Sequence, residues 1–161
     1  MKVVVTGVCG FIGFNLCYHL LKKNIKVYGI DNLDNYYSTK YKNERLKNLK
    51  KFKNFKFYKI DISNYKKLNN ILSKLKFDQI IHLAAQAGVR YSFINPKKYI
   101  SSNIVGFSNI LDISRKLKIK KIIYGSSSSV YGDVKNFPVK ESVKCTPIST
   151  YSLTKKNNEE L

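Results

Sequence analysis

The sequence predicts an α/β fold, a doubly wound parallel sheet with helices on both faces. Three observations carry the prediction. Short apolar, β-branched runs alternate with stretches of helical periodicity along all 161 residues, as in strands joined by crossover helices. The first run, Val3–Val5, leads into a glycine-spaced turn, TGVCGFIG at Thr6–Gly13, and a helical pattern follows at once. An acid, Asp31, closes the second run, Val27–Ile30. Right-handed crossovers between parallel strands then place helices on both faces.

The elements follow in order. Val3–Val5 is the first strand. Ile12, Leu16 and Leu20 recur every four residues beside Cys17 and Leu21, so 11–23 reads as a helix. Lys26–Ile30 is the second strand, a polar tyrosine-bearing loop spans 31–40, and a lysine-rich helix covers 41–51. Phe55–Tyr58 is the third strand. Ser63 caps a helix that carries Leu68, Ile71, Leu72 and Leu75 on one face. Gln79–Leu83 is the fourth strand. Pro96 opens a long helix with Ile100, Ile104, Phe107 and Leu111 in register. Ile119–Tyr124 is the fifth strand, 125–129 turns out of it, and a loop with Pro138 and Pro147 leads to a last helix from about Ser149. No linker interrupts the series, so 1–161 reads as one domain.

Composition narrows the function classes. The apolar fraction of 43% suits a packed core. No apolar run approaches the roughly 20 residues that span a membrane, and the N-terminus enters strand pattern without a signal peptide. Cys9, Cys17 and Cys145 lack metal-ligand spacing and suggest no disulfide framework, which fits a reducing cytoplasm. Cys9 reads as a small filler, with a reactive thiol as the alternative. The net charge of +20 raises nucleic-acid binding. Only Arg45, Arg90 and Arg115 are arginines, however, and the lysines are spread along polar faces. A solvated lysine surface without a specific nucleic-acid partner is the expectation.

The glycine turn carries chemistry. Gly7 allows the turn dihedrals, Gly10 lets a phosphate approach the backbone, and Gly13 lets the helix lie close to the strand. Free amides at the helix start, Phe11 and Ile12 among them, face an anion. Asp31, about 20 residues on, is placed to accept from both ribose hydroxyls of an adenosine and to repel a 2′-phosphate, which favours NAD over NADP. Asn32 assists it. This is a Rossmann-type dinucleotide site. After the fourth strand, the small residues Ala84 and Ala85, next to Leu83, let the chain pass close to the dinucleotide. Gln86, Arg90 and Ser92 are expected to point polar groups into the cleft, Arg90 suiting a carboxylate or phosphate. Ser127, Ser128 and Ser129 leave the fifth strand. Tyr151 and Lys155 stand one turn apart on one helix face, so an ammonium favours a phenolate and makes Tyr151 a usable general base. His82 reads as a structural strand-end residue.

Six segments together resemble one family: TGVCGFIG at 6–13, GIDNLDNYY at 29–37, HLAAQAGVRYS at 82–92, SNIVGFSNIL at 102–111, SSSSVYG at 126–132 and PISTYSLTKK at 147–156. They resemble the NAD-dependent nucleotide-sugar epimerases of the extended short-chain dehydrogenase/reductase superfamily, and among these the UDP-glucuronate 4-epimerases. The resemblance implies pyrophosphate on Gly7, Gly10 and Gly13, ribose on Asp31 and Asn32, and adenine on Asp61 and Ile62. It implies Tyr151 as base, Lys155 as its partner, Ser127 as the catalytic serine, Ser128 and Ser129 beside the sugar, and Asn103 supporting the lysine or a water. The implied reaction inverts C4 of UDP-glucuronate through a 4-keto sugar. The 4,6-dehydratases and decarboxylases of the class typically carry an acid where Ser128 and Ser129 stand. Relatives of this kind are longer and usually homodimeric. The chain therefore reads as their N-terminal half, an incomplete Rossmann domain truncated before the C-terminal substrate domain. A non-catalytic NAD-binding fragment remains the alternative.

Overall fold

Three successive valines set the middle of the sheet. In the computed structural model, which describes residues 1–161, β1 (Lys2–Thr6) runs between two neighbours and Val3, Val4 and Val5 are wholly buried. Side chains alternate across a strand. Val3 and Val5 therefore enter one core, with Cys17, Leu21, Leu46 and Leu49. Val4 enters the other, with Ile30, Leu68, Ile80, Ile110 and Ile113. Each valine buried in this way contributes about 1.5–3 kcal/mol relative to exposure.

The other strands are β2 (Lys26–Asp31), β3 (Phe55–Lys59), β4 (Gln79–His82) and β5 (Ile122–Tyr124). All pair in parallel, in the order β3-β2-β1-β4-β5. The chain winds outward from β1 to β3 and then returns to β4, so the winding direction reverses between β1 and β4. Thr6 pairs with Ile30 on one side and His82 on the other. Three strands thus end level, and a crevice opens where their connections diverge.

Helices α1 (Phe11–Lys22) and α2 (Thr39–Leu49) supply the Val3 and Val5 core. On the opposite face lie α3 (Tyr65–Leu72) and α6 (Gly106–Lys116). Before α6 come α4 (Val89–Ile94), α5 (Pro96–Tyr99) and a π-helical turn, Ile100–Val105. The chain then reaches α7 (Thr150–Glu160). Helix α4 falls on residues to which the sequence pattern assigned no element. Its six residues are too few for a periodic pattern to register. Gly88, at φ +99°, turns the chain into it, and Asn95 and Pro96 close it. The fifth strand is also shorter than expected, beginning at Ile122.

Two glycines control how α1 meets β1. A Cβ on Gly13 would overlap the Gly7 carbonyl oxygen, whereas one on Gly125 would meet only Leu83 Cδ2 at 3.4 Å. Gly13→Ala should therefore destabilise the fold by about 2–4 kcal/mol and Gly125→Ala by under about 1 kcal/mol, read from urea unfolding midpoints.

Candidate active site

The ends of all five strands build the crevice. From β1, the turn places Gly7 at φ +74°, with Ala84 nitrogen 2.8 Å from where a Cβ would sit. Only a glycine lets these two backbones come so close. Gly10 is the N-cap of α1 and has no side chain to cap it. The amides of Phe11, Ile12 and Gly13 make no hydrogen bond within the chain. A Cβ on Gly10 would meet only the Gly7 carbonyl, at 3.2 Å, so its other side is open. Phe11 and Ile12 are exposed beside it. Uncapped amides above an open glycine face form a cradle that fits a pyrophosphate.

Asp31 ends β2 and is buried. Its carboxylate accepts from the Cys9 amide at 2.9 Å and the Leu33 amide at 2.8 Å. It therefore ties the end of β2 to the glycine turn. Arg45 of α2 donates to the Cys9 carbonyl at 3.1 Å, fixing that peptide from its other side. The Cys9 thiol is buried, and burial followed by the charge of Asp31 pushes its pKa up to about 12. It stays protonated and acts as a filler, not a nucleophile. Beyond β3, Asp61 accepts from Asn32 Nδ2 at 3.0 Å and from the Ser63 amide and hydroxyl. Asn32 and Asp61, far apart in sequence, are thus brought together. The Ile62 side chain is buried beneath Gly106.

The end of β4 is fastened to β1 through Thr6. Its Oγ1 accepts from the amides of Leu83 at 3.1 Å and Ala84 at 3.0 Å. Its own proton then goes to His82 Nδ1, 2.8 Å away, so Nδ1 is the acceptor and His82 is neutral. Burial first, and the Lys155 charge second, push the His82 pKa down to about 3. His82 is structural, as its sequence position suggests. Asn103, in the π-helical turn, brackets Gln86 by accepting from its amide at 2.8 Å and donating to its carbonyl at 3.1 Å. It also donates to Thr154 Oγ1 on α7 at 3.0 Å. Asn103 therefore supports the lysine helix through Thr154. Ala84 and Ala85 line the same stretch, half-buried.

Helix α7 starts at a reciprocal cap: Ser149 Oγ accepts from the Ser152 amide at 3.1 Å and Ser152 Oγ from the Ser149 amide at 2.9 Å. This fixes where Tyr151 and Lys155 stand. Lys155 is buried and donates to the Gly125 carbonyl at 2.7 Å, just past β5. Burial lowers its pKa to about 8. Tyr151 is half-buried against Tyr99, ring centroids 6.1 Å apart in an edge-to-face pair. Ser127 caps the turn Ser128–Tyr131, accepting from the Ser129 amide at 3.2 Å. Ser128 is exposed.

The segment after β4 departs from expectation at Ser92. It is fully buried, and its hydroxyl donates to the Val89 carbonyl at 2.6 Å. It secures α4 and offers nothing to the cleft. Gln86 is buried as well, and its side chain donates to Ala87. Arg90 alone of the three is exposed. A surface depression of about 510 Å³ beside Lys2, Phe77 and Asp78 lies at the opposite ends of the strands.

A family model described as GDP-mannose 4,6 dehydratase matches residues 4–161. The chain belongs to the GDP-mannose 4,6-dehydratase family. It is 45% identical to a UDP-glucuronate 4-epimerase of Thermodesulfobacterium geofontis, over 97% of this chain and 48% of that protein. It is 46% identical to the protein CapI of Staphylococcus aureus, over 99% of this chain and 48% of CapI. Among solved structures it matches UDP-glucuronic acid 4-epimerase from Bacillus cereus, in complex with UDP-glucuronic acid and NAD. The TM-score there is 0.90 at 36% identity, covering 99% of this chain and 50% of that one. The chain spans about half the length of the curated relatives it matches.

Within this member of the family, sequence reasoning missed Thr6, Thr154, Tyr36 and Tyr99. Thr6, Tyr36 and Thr154 lie inside the segments quoted above but were given no role there, and each of the four acts through a partner distant in sequence. Thr6 alone had a signal, a hydroxyl residue ending the central strand.

Lys155 yields a pH test. Between its folded value of about 8 and its ordinary 10.5, the unfolded chain holds the extra proton, so this residue makes stability rise with pH across that window. The contribution is up to about 3 kcal/mol. Lys155→Met should flatten the rise, measured as unfolding free energy at pH 8 and pH 10.

Proposed function

We propose that this chain is the cofactor-holding half of an NAD-dependent nucleotide-sugar 4-epimerase that converts UDP-glucuronate to UDP-galacturonate through a 4-keto sugar. One observation carries the reading. Lys155 is buried and anchored to Gly125, one turn from Tyr151, on a helix whose start is locked by Ser149 and Ser152. A tyrosine so placed at the mouth of a dinucleotide crevice is equipped to move a proton on a sugar hydroxyl.

The roles follow from the geometry. Gly7, Gly10 and Gly13, with the free amides of Phe11, Ile12 and Gly13, would hold the pyrophosphate. Asp31 and Asn32 would hold the adenosine ribose, Asp61 and Ile62 would flank adenine, and Leu83, Ala84 and Ala85 would line the path. NAD bound there supplies a reversible hydride acceptor. Tyr151 takes the proton of the C4 hydroxyl and later returns it. Lys155, still mostly protonated at neutral pH, stabilises the phenolate and orients the nicotinamide ribose, while Asn103 holds its helix through Thr154. Ser127 donates to the C4 oxygen, with Ser128 and Ser129 beside the sugar. Arg90, exposed and free of hydrogen bonds, is suited to the uronate or a phosphate. The names of the relatives support the uronate as substrate. We place the reaction in the cytoplasm, in keeping with three free cysteines, and the working enzyme as a homodimer.

The dehydratase chemistry in the family's description needs an acid at the serine turn. Ser128 and Ser129 supply none. The carboxylate bonded to that turn is Glu159, on Ser126. It stands eight residues beyond Tyr151, about 12 Å along α7, too far to share a sugar carbon with it.

Two measurements test the proposal. NAD, but not NADP, should raise the melting temperature of the chain, and Asp31→Ala should narrow the difference. Joined to the C-terminal half of a relative, the chain should interconvert UDP-glucuronate and UDP-galacturonate by NMR. Tyr151→Phe should cut that rate by about 10²–10⁴-fold with NAD still bound. Absence of C4 inversion in the completed enzyme would overturn the assignment.

A further inference from the structure

The connection from β2 to α2 is rooted at one strand and fastened beyond another. Asp34 pairs with Lys98 of α5, Oδ2 to Nζ 2.8 Å, and its Oδ1 accepts from the same ammonium at 3.0 Å. Tyr36 packs on Tyr91 of α4, ring centroids 4.9 Å apart. Its hydroxyl fills the space that a side chain on Gly88 would need. At the root, Lys42 donates to the Asp34 carbonyl at 2.7 Å, and the Tyr36 amide donates to Asp34 Oδ1 at 2.8 Å. Burial opposes the charge on Asp34, but Lys98, the Tyr36 amide and Lys42 together hold its carboxyl below the ordinary value.

The strand order gives these contacts their meaning. Helices α4 and α5 follow β4, and β1 lies between β2 and β4. A segment that leaves β2 and is fastened to the connection leaving β4 crosses between the connections of the two strands that flank the end of β1. That end carries the glycine turn. The sheet has its own hydrogen bonds and cores without this crossing.

We propose that residues 32–38 form a clasp over the dinucleotide groove, fastened by the Asp34–Lys98 ion pair and by Tyr36 seated against Gly88, and that this clasp sets how slowly bound NAD leaves. The inference rests on the dinucleotide reading above. A ligand lying between the glycine turn and the clasp departs only when the fastenings open. The two charged side chains are 29% and 24% exposed, so dissolved salt reaches the ion pair and not the aromatic seat. A reaction without net redox change gains nothing from exchanging its cofactor, and a closed clasp suits it.

The experiment follows release of NADH from the loaded chain by its fluorescence after a chase with excess NAD. Asp34→Asn and Lys98→Met should each speed release roughly fivefold, and Tyr36→Ala should speed it as well. The reversed pair Asp34→Lys with Lys98→Asp should return the rate to within about twofold of the parent. Raising salt from about 50 to about 500 mM should quicken release from the parent and leave Lys98→Met nearly unchanged. A parent that holds the dinucleotide while both single variants release it at the parent rate overturns the clasp alone. A reversed pair no slower than the single variants does the same. A parent that binds no dinucleotide overturns the clasp and the dinucleotide reading together.

Discussion

The contact on which the rest depends is backbone against backbone, where the start of α1 lies on the end of β1. Gly13 rests on the Gly7 carbonyl without room for a methyl, and Gly7 in turn lies against the Leu83–Ala84 backbone. Two glycines thus let one helix and two strand connections share a volume that side chains would otherwise claim. This closeness leaves the first amides of α1 uncapped at the rim of the crevice. Unpaired amides at a helix start carry a partial positive charge toward whatever lies above them. The same constraint that packs the domain therefore makes its anion cradle.

Around that contact, single hydrogen bonds tie strand ends to one another. Asp31 joins β2 to the glycine turn, Thr6 joins β1 to the stretch after β4, and Lys155 joins α7 to the end of β5. Each tie is buried or half-buried, where a lost partner leaves a costly unsatisfied group. Their directions are fixed by the inventory of donors and acceptors. Thr6 already accepts twice, so it can only donate to His82, and a neutral His82 keeps a second positive charge away from Lys155. Positive charge in the crevice is thereby concentrated on the lysine that stands one turn from Tyr151.

Much of this was legible in the residues. The glycine spacing, the acid ending the second strand, and the serine before a helix carrying tyrosine and lysine are short-range patterns, and the structure contains all three. The expected strands fall where β-branched runs lie, within a few residues at the ends. Ser92 was misread because a polar residue near a cleft looks like a ligand, whereas in a short helix its hydroxyl is taken by the carbonyl three residues back. Helix α4 was missed for the same local reason, since six residues hold less than two turns of periodicity.

The sequence by itself determined the local devices, namely a turn only glycine can make, a helix start that two serines cap, and strands buried on both faces by valine and isoleucine. These depend on dihedral freedom, side-chain alternation and hydrogen bonds reaching a few residues. Only the tertiary structure decided the meetings of Thr6 with His82, Asp34 with Lys98, and Asn103 with Thr154, which are 76, 64 and 51 residues apart in the chain. Such pairs have no periodicity to betray them. They exist because strand order brings the ends of β2, β1 and β4 level and side by side, and that order is set by how all the helices share the two faces of the sheet.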